Sequence, residues 1–81
     1  MTKAEKAIAY FQRRHGTDKF RELTSTSKKY RKFTHPINPK SFIWIGRAGA
    51  VLSGRTVSDS VSITAQVEAW IARDERVEAG K

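Results

Sequence analysis

Pro36 and Pro39 stand three residues apart near the middle of the chain, in THPINP at residues 34–39. Each proline removes a backbone donor and biases the residue before it toward extended geometry, so no helix runs through this segment. The stretches on either side of the break must be separate elements. The hydrophobic period changes there too, from helical spacing to alternation.

Before the break, Thr2 can act as N-cap with Glu5 three residues on, and Gly16 supplies a left-handed stop, which predicts a helix over 3–15. Ala4, Ala7, Ile8 and Phe11 share one face, and Arg13, Arg14 and His15 fall in the last turn, where the helix dipole favours cations. Thr17 or Asp18 can cap a second helix over 18–24, with Phe20 and Leu23 on one side and the TSTS run ending it. The next stretch, SKKYRKFTHP at 27–36, holds four positive charges, two rings and no acid. As a strand it sets Lys28, Tyr30 and Lys32 against Lys29, Arg31 and Phe33, which segregates nothing. As a helix with Ser27 as N-cap it puts Tyr30 and Phe33 on one side and Lys28, Arg31 and Lys32 on the other. The pattern therefore predicts a third helix over 28–33, its rings anchoring the core.

After the break, KSFIWIGRAGAVLSGRT alternates and reads as a hairpin, with strands near 41–46 and 50–57 and Gly49 where the turn needs a left-handed residue. Pairing Gly46 with Ala50 sets Trp44 opposite Leu52 and Phe42 opposite Gly54. A turn at Ser58 and Asp59 allows a third strand over 60–64, which brings Val61 and Ile63 onto the face of Phe42, Trp44 and Leu52. That face is expected to be the core. Residues 65–79 form a final helix with Val67, Trp70, Ile71 and Val77 in one stripe and Gly80 as its stop. The expected fold is α+β in a single domain, 1–81: a helical N-terminal half, then a two- or three-stranded antiparallel meander packed on the C-terminal helix. The order of elements allows a winged helix.

Sixteen Lys and Arg face eight Asp and Glu, a formal charge of +8, and residues 1–40 hold eleven of those bases against three acids. Residues 41–81 hold five of each. Concentrated like charge costs self-repulsion in the folded state, and a polyanionic partner removes that cost while releasing counterions. The expected function is thus a small non-enzymatic nucleic-acid-binding protein of accessory or regulatory type, with duplex DNA preferred over RNA. Lys28, Lys29, Arg31 and Lys32 are its principal candidate contacts, joined by Arg13, Arg14, Lys19 and Arg21 on the two preceding helices and extended by Lys40. The third helix offers no Asn or Gln for reading adenine, so these cations point to phosphate. A different docking mode sets the sheet itself in the major groove, using Arg47 and Arg55. A second function class is a basic adaptor or inhibitor that docks an acidic protein surface, and the mixed second face of the sheet raises a homodimer.

Other chemistry finds little footing. There is no cysteine, hence no disulfide and no thiolate metal site. GAVLSGRT at 49–56 matches the phosphate-loop pattern apart from Arg55, but its residues favour strand, and VSDSVS stands where a helix is required. His15 and His35 are the only imidazoles and lack metal-ligand spacing, and no serine has a base in view. No catalytic residue, metal or cofactor is expected. No apolar run is long enough to span a bilayer, and a cytoplasmic protein without membrane partners is expected.

Overall fold

A computed structural model describes residues 2–79. Two helices, α1 (Lys3–His15) and α2 (Thr64–Ala79), precede and follow in the chain a sheet of five strands: β1 (Glu22–Leu23), β2 (Tyr30–Thr34), β3 (Phe42–Gly46), β4 (Val51–Gly54) and β5 (Val61–Ser62). The strands form one antiparallel sheet in chain order. Gly80, expected to stop α2, lies outside the described residues.

α1 begins at Thr2, whose hydroxyl accepts from the Glu5 N–H, and ends at Gly16 with φ near 89°. The expected helix over 18–24 is absent. The Lys19 and Phe20 N–H groups both reach back to the Gly16 carbonyl in a tight turn, and Phe20 is driven into the core. Its ring stacks on Phe11 at 5.0 Å and on Phe33 at 4.6 Å. Thr34 locks the segment down: its hydroxyl donates to the Lys19 carbonyl at 2.7 Å and accepts from the Arg21 N–H at 2.9 Å, and its own N–H donates to the Arg21 carbonyl. Glu22 and Leu23 then pair with β2 as a two-residue edge strand.

The helix expected over 28–33 is a strand instead, so the N-terminal half is not helical and the winged-helix order does not hold. Six residues make a marginal helix, and this one would stack Lys28 on Arg31 and Lys32, and Lys29 on Lys32, as repelling neighbours. In a strand the same charges divide between two faces, and aromatic and β-branched residues suit that conformation. Ser27 does cap, but it caps a turn: its hydroxyl accepts from Lys29 and Tyr30 N–H groups, while Ser25 donates to the Tyr30 carbonyl. β2 then pairs along its whole length with β3, Tyr30 opposite Gly46 through Thr34 opposite Phe42.

The hairpin takes the register that its alternation predicts, Phe42 opposite Gly54 and Trp44 opposite Leu52, although β4 ends at Gly54 and β5 has only two residues. The core lies on the other face from the one expected. Phe33, Ile43, Ile45 and Val51 carry it, with Ala4, Ala7, Tyr10 and Phe11 of α1, Phe20, and Val67 of α2. β2 decides the matter by setting Phe33 opposite Ile43, whereas on the reverse face it sets Lys32 opposite Trp44. Val61, assigned by alternation to the core, is 68% exposed. α2 packs through Val67 and Ile71, while Trp70 and Val77 of its stripe stay exposed. GAVLSGRT forms turn, strand and loop, and the residues directly after Gly54, 55–60, are not helical.

Phe33→Ala is expected to cost about 3–5 kcal/mol, a large share of the stability of a small domain. Phe42→Ala, on the reverse face, is expected to cost about 1 kcal/mol. Urea midpoints of the two variants test which face of the sheet is the core.

Candidate nucleic-acid interface

Because both helices pack on one side, the other side of the sheet is free of helix. The pairing register places Leu23, Tyr30, Lys32, Thr34, Phe42, Trp44, Leu52 and Ser62 there. None is acidic. Lys32 occupies the middle, its Nζ 4.1 Å from the Phe42 ring centroid and 5.6 Å from that of Trp44. The two rings meet edge to face at 6.3 Å, and the Trp44 Nε1–H donates to the Gly54 carbonyl at 3.1 Å. Trp44 is thereby only 7% exposed without any helix above it. The ammonium group gains from the ring faces and leaves its donors toward solvent.

Strand direction sets what lies at each end. Lys28 and Lys29 precede Tyr30, which is opposite Gly46, so they meet Arg47 of the β3–β4 turn. Together with Tyr30 they line a cleft of about 330 Å³, and a larger one of about 460 Å³, which Arg31 also lines, reaches from them to Thr2 and Glu5 at the start of α1. The Tyr30 ring covers Gly46, where an added Cβ would come within 3.1 Å of it. At the opposite end Lys40 precedes β3 and Arg55 comes just after β4, both exposed. The Lys40 backbone N–H is tied to Asn38 Oδ1 at 3.0 Å.

The remaining sequence-nominated cations are placed elsewhere. Arg31 faces the helix side and grips Glu22 through both carboxylate oxygens at 2.7 and 2.6 Å, which holds the Glu22 carboxyl below its usual range chiefly through these hydrogen bonds. Arg13 lies 3.7 Å from Asp74, and Lys6, seven residues earlier in α1, lies 3.8 Å from Glu75. Arg14 lines a cleft on the helix side with His15 and His35. Lys19 and Arg21 are exposed in the α1–β1 loop. Lys28 and Lys29 lie near the start of α1 and Arg14 near its end, a 13-residue helix apart, or roughly 20 Å at helical rise. The structure thus sets Lys32 on the helix-free face, with Lys28 and Lys29 in the loop at one end of its strand and Lys40 in the loop at the other. Arg31, turned to the helix side, still lines the cleft that holds Lys28 and Lys29, while Arg13, Arg14, Lys19 and Arg21 lie elsewhere. Arg47, which lines a cleft with Lys28 and Lys29, and the exposed Arg55 just beyond β4 add a cation at each end of the strands. Tyr30, expected in the core, belongs to the open face as well.

No protein-family model, curated protein or solved structure matches this chain. The geometry must carry the functional reading unaided. Among the described residues no three His, Cys, Asp or Glu side chains group as metal ligands, and no helix is long and apolar enough to cross a membrane.

Both imidazoles are held below the ordinary histidine value of 6.5, His15 by burial and then by the Arg14 and Lys19 charges, His35 by burial and then by His15. The folded protein therefore binds fewer protons than the unfolded chain in mild acid. The stability tied to the neutral rings is complete above that value and falls as pH drops through and below it. The urea midpoint is expected to be lower at about pH 5 than at about pH 7.5, and His35→Gln, which removes one of the two titrating rings, is expected to shrink that difference.

Proposed function

We propose that this chain is a non-enzymatic nucleic-acid-binding module, that its ligand is duplex DNA, and that it binds through the helix-free face of its sheet. One observation carries the reading: Lys32 stands in the middle of a sheet face whose paired residues include no acid, and exposed cations lie in the loops at both ends of its strands, Lys28, Lys29 and Arg47 at one and Lys40 and Arg55 at the other. Three of the other cations, Arg13, Lys6 and Arg31, each have a carboxylate partner. The sheet face keeps its charge for something outside the protein.

The dimensions favour a duplex. A five-residue strand spans roughly 14 Å between its end residues, close to the ~12 Å width of the major groove. With β2 and β3 crossing the groove, Lys28, Lys29 and Arg47 approach one phosphate wall, Lys40 and Arg55 the other, and Lys32 the groove itself. Unpaired bases would need free ring faces to stack on. Trp44 is covered and Phe42 sits beneath the Lys32 ammonium, so the sheet offers phosphate contacts and one groove contact more readily than a stacking platform.

Fluorescence anisotropy with a 20-base-pair duplex over a range of salt concentrations tests the reading. Log Kd is expected to change with log salt by about 0.9 for each phosphate neutralised. Changing Lys28, Lys29 and Arg47 together to Ala should reduce that slope by close to three contacts, and Lys32→Ala should weaken binding further. Arg13→Ala and Arg31→Ala should leave the slope in place. Tighter binding to the corresponding single strand, or an unchanged slope in the triple variant, would remove the proposal.

A further inference from the structure

A second surface lies on the helix side, independent of the sheet face. Between the end of α1, the middle of α2 and the His35–Ile37 segment is a cleft of about 390 Å³, floored by Phe11, Ile43 and Ile63. Two large apolar side chains stand at it in solvent: Trp70 is 40% exposed and Ile37 is 79% exposed. Neither is loosely held. Trp70 stacks on Tyr10 at 6.1 Å, and the turn that displays Ile37 is closed by the neutral His35 ring, whose Nδ1 accepts from the Ile37 N–H at 3.1 Å and the Asn38 N–H at 2.9 Å. Apolar groups exposed together along one cleft, rather than scattered singly, are the pattern that marks contact surfaces.

Charge identifies the occupant. Arg14 and Arg73 also line the cleft, and Asp74 beside them is engaged by Arg13 at 3.7 Å. A guanidinium pair bordering an apolar floor suits carboxylates that flank a large hydrophobic side chain, and Trp and Arg are the residue types that dominate such contacts. A second copy of this chain is the wrong partner, because it would bring a formal charge of +8 against these arginines. We propose that the cleft docks an acidic segment of a partner protein, with one large apolar side chain seated between Trp70 and Ile37 and neighbouring carboxylates on Arg14 and Arg73. Since the cleft and the cationic sheet face lie on opposite sides, both ligands can be held at once.

The test is a ¹⁵N NMR titration of the full chain with the capped peptide acetyl-Glu-Asp-Phe-Asp-Leu-amide. Saturable shifts are expected at the Trp70 indole N–H and at the amides of His15 and Ile37. The double variant Arg14→Gln with Arg73→Gln, at exposed positions that should not disturb folding, is expected to weaken the peptide about tenfold. Replacing Phe and Leu of the peptide by Ala should abolish the shifts. Equal binding of the Ala peptide, shifts centred on Lys28, Lys29 and Arg47, or a duplex that displaces the peptide from Trp70 would each overturn the proposal. The last two results bear on the cleft alone, because a duplex that perturbs Lys32 and Arg47 supports the sheet-face reading whatever the peptide does.

Discussion

Phe20 between Phe11 and Phe33 is the contact on which the rest of the molecule depends. The three rings stack nearly parallel, at 5.0 Å and 4.6 Å, and all three are buried. Each aromatic pair adds about 0.5–1.5 kcal/mol beyond the area it buries. More important is what the stack connects: α1 through Phe11, the connecting loop through Phe20, and β2 through Phe33. With Phe33 committed to that stack, β2 can present only Tyr30, Lys32 and Thr34 on its reverse side. Alternation then assigns the partner residues in β3 and β4.

Charge distribution is a consequence of that choice. Glu75 and Asp74 of α2 meet α1 cations across the helix pair, and Glu22 meets Arg31 at the sheet edge. Exposed pairs of this kind add little stability. Their effect is on the outer field, because they offset three cations, Lys6, Arg13 and Arg31, whereas no ion pair among the described residues involves Lys32 or the cations at the ends of its strand. Two surfaces of different character result. One is cationic and flat, with its rings capped by an ammonium group; the other is a cleft with apolar walls and arginines at its border.

Much of the local structure was legible in the chain. Thr2, Glu5 and Gly16 mark both ends of α1, because caps act over three or four residues. Gly49, with φ near 93° and Lys3 packed against it, marks the β3–β4 turn for a similar reason. Residues 28–33 misled because the helical reading sorted rings from charges and the strand reading did not. The sorting was irrelevant: in the structure Phe33 goes to the core and Tyr30 to the open face, so both faces of β2 carry a ring. Phe42 and Trp44 misled in the same way, since the larger aromatics of the hairpin lie on the side that the helices leave free. The candidate site was legible as a surplus of cations and as the names Lys28, Lys29, Lys32 and Lys40. What the chain did not reveal is that Arg13 and Arg31 have carboxylate partners, Asp74 remote in sequence and Glu22 on a neighbouring strand.

Short-range chemistry, then, was determined by the sequence alone: where the prolines forbid regular structure, where helices are capped, which residues pair across the hairpin, and that the chain carries a surplus of positive charge. The tertiary structure decided which face of the sheet is covered and which cations remain unpaired. Both depend on Phe20 and Phe33 meeting across thirteen residues of chain and on carboxylates of α2 reaching α1. Contacts at such separations leave no periodic trace, since period reports only what a residue shares with its immediate neighbours.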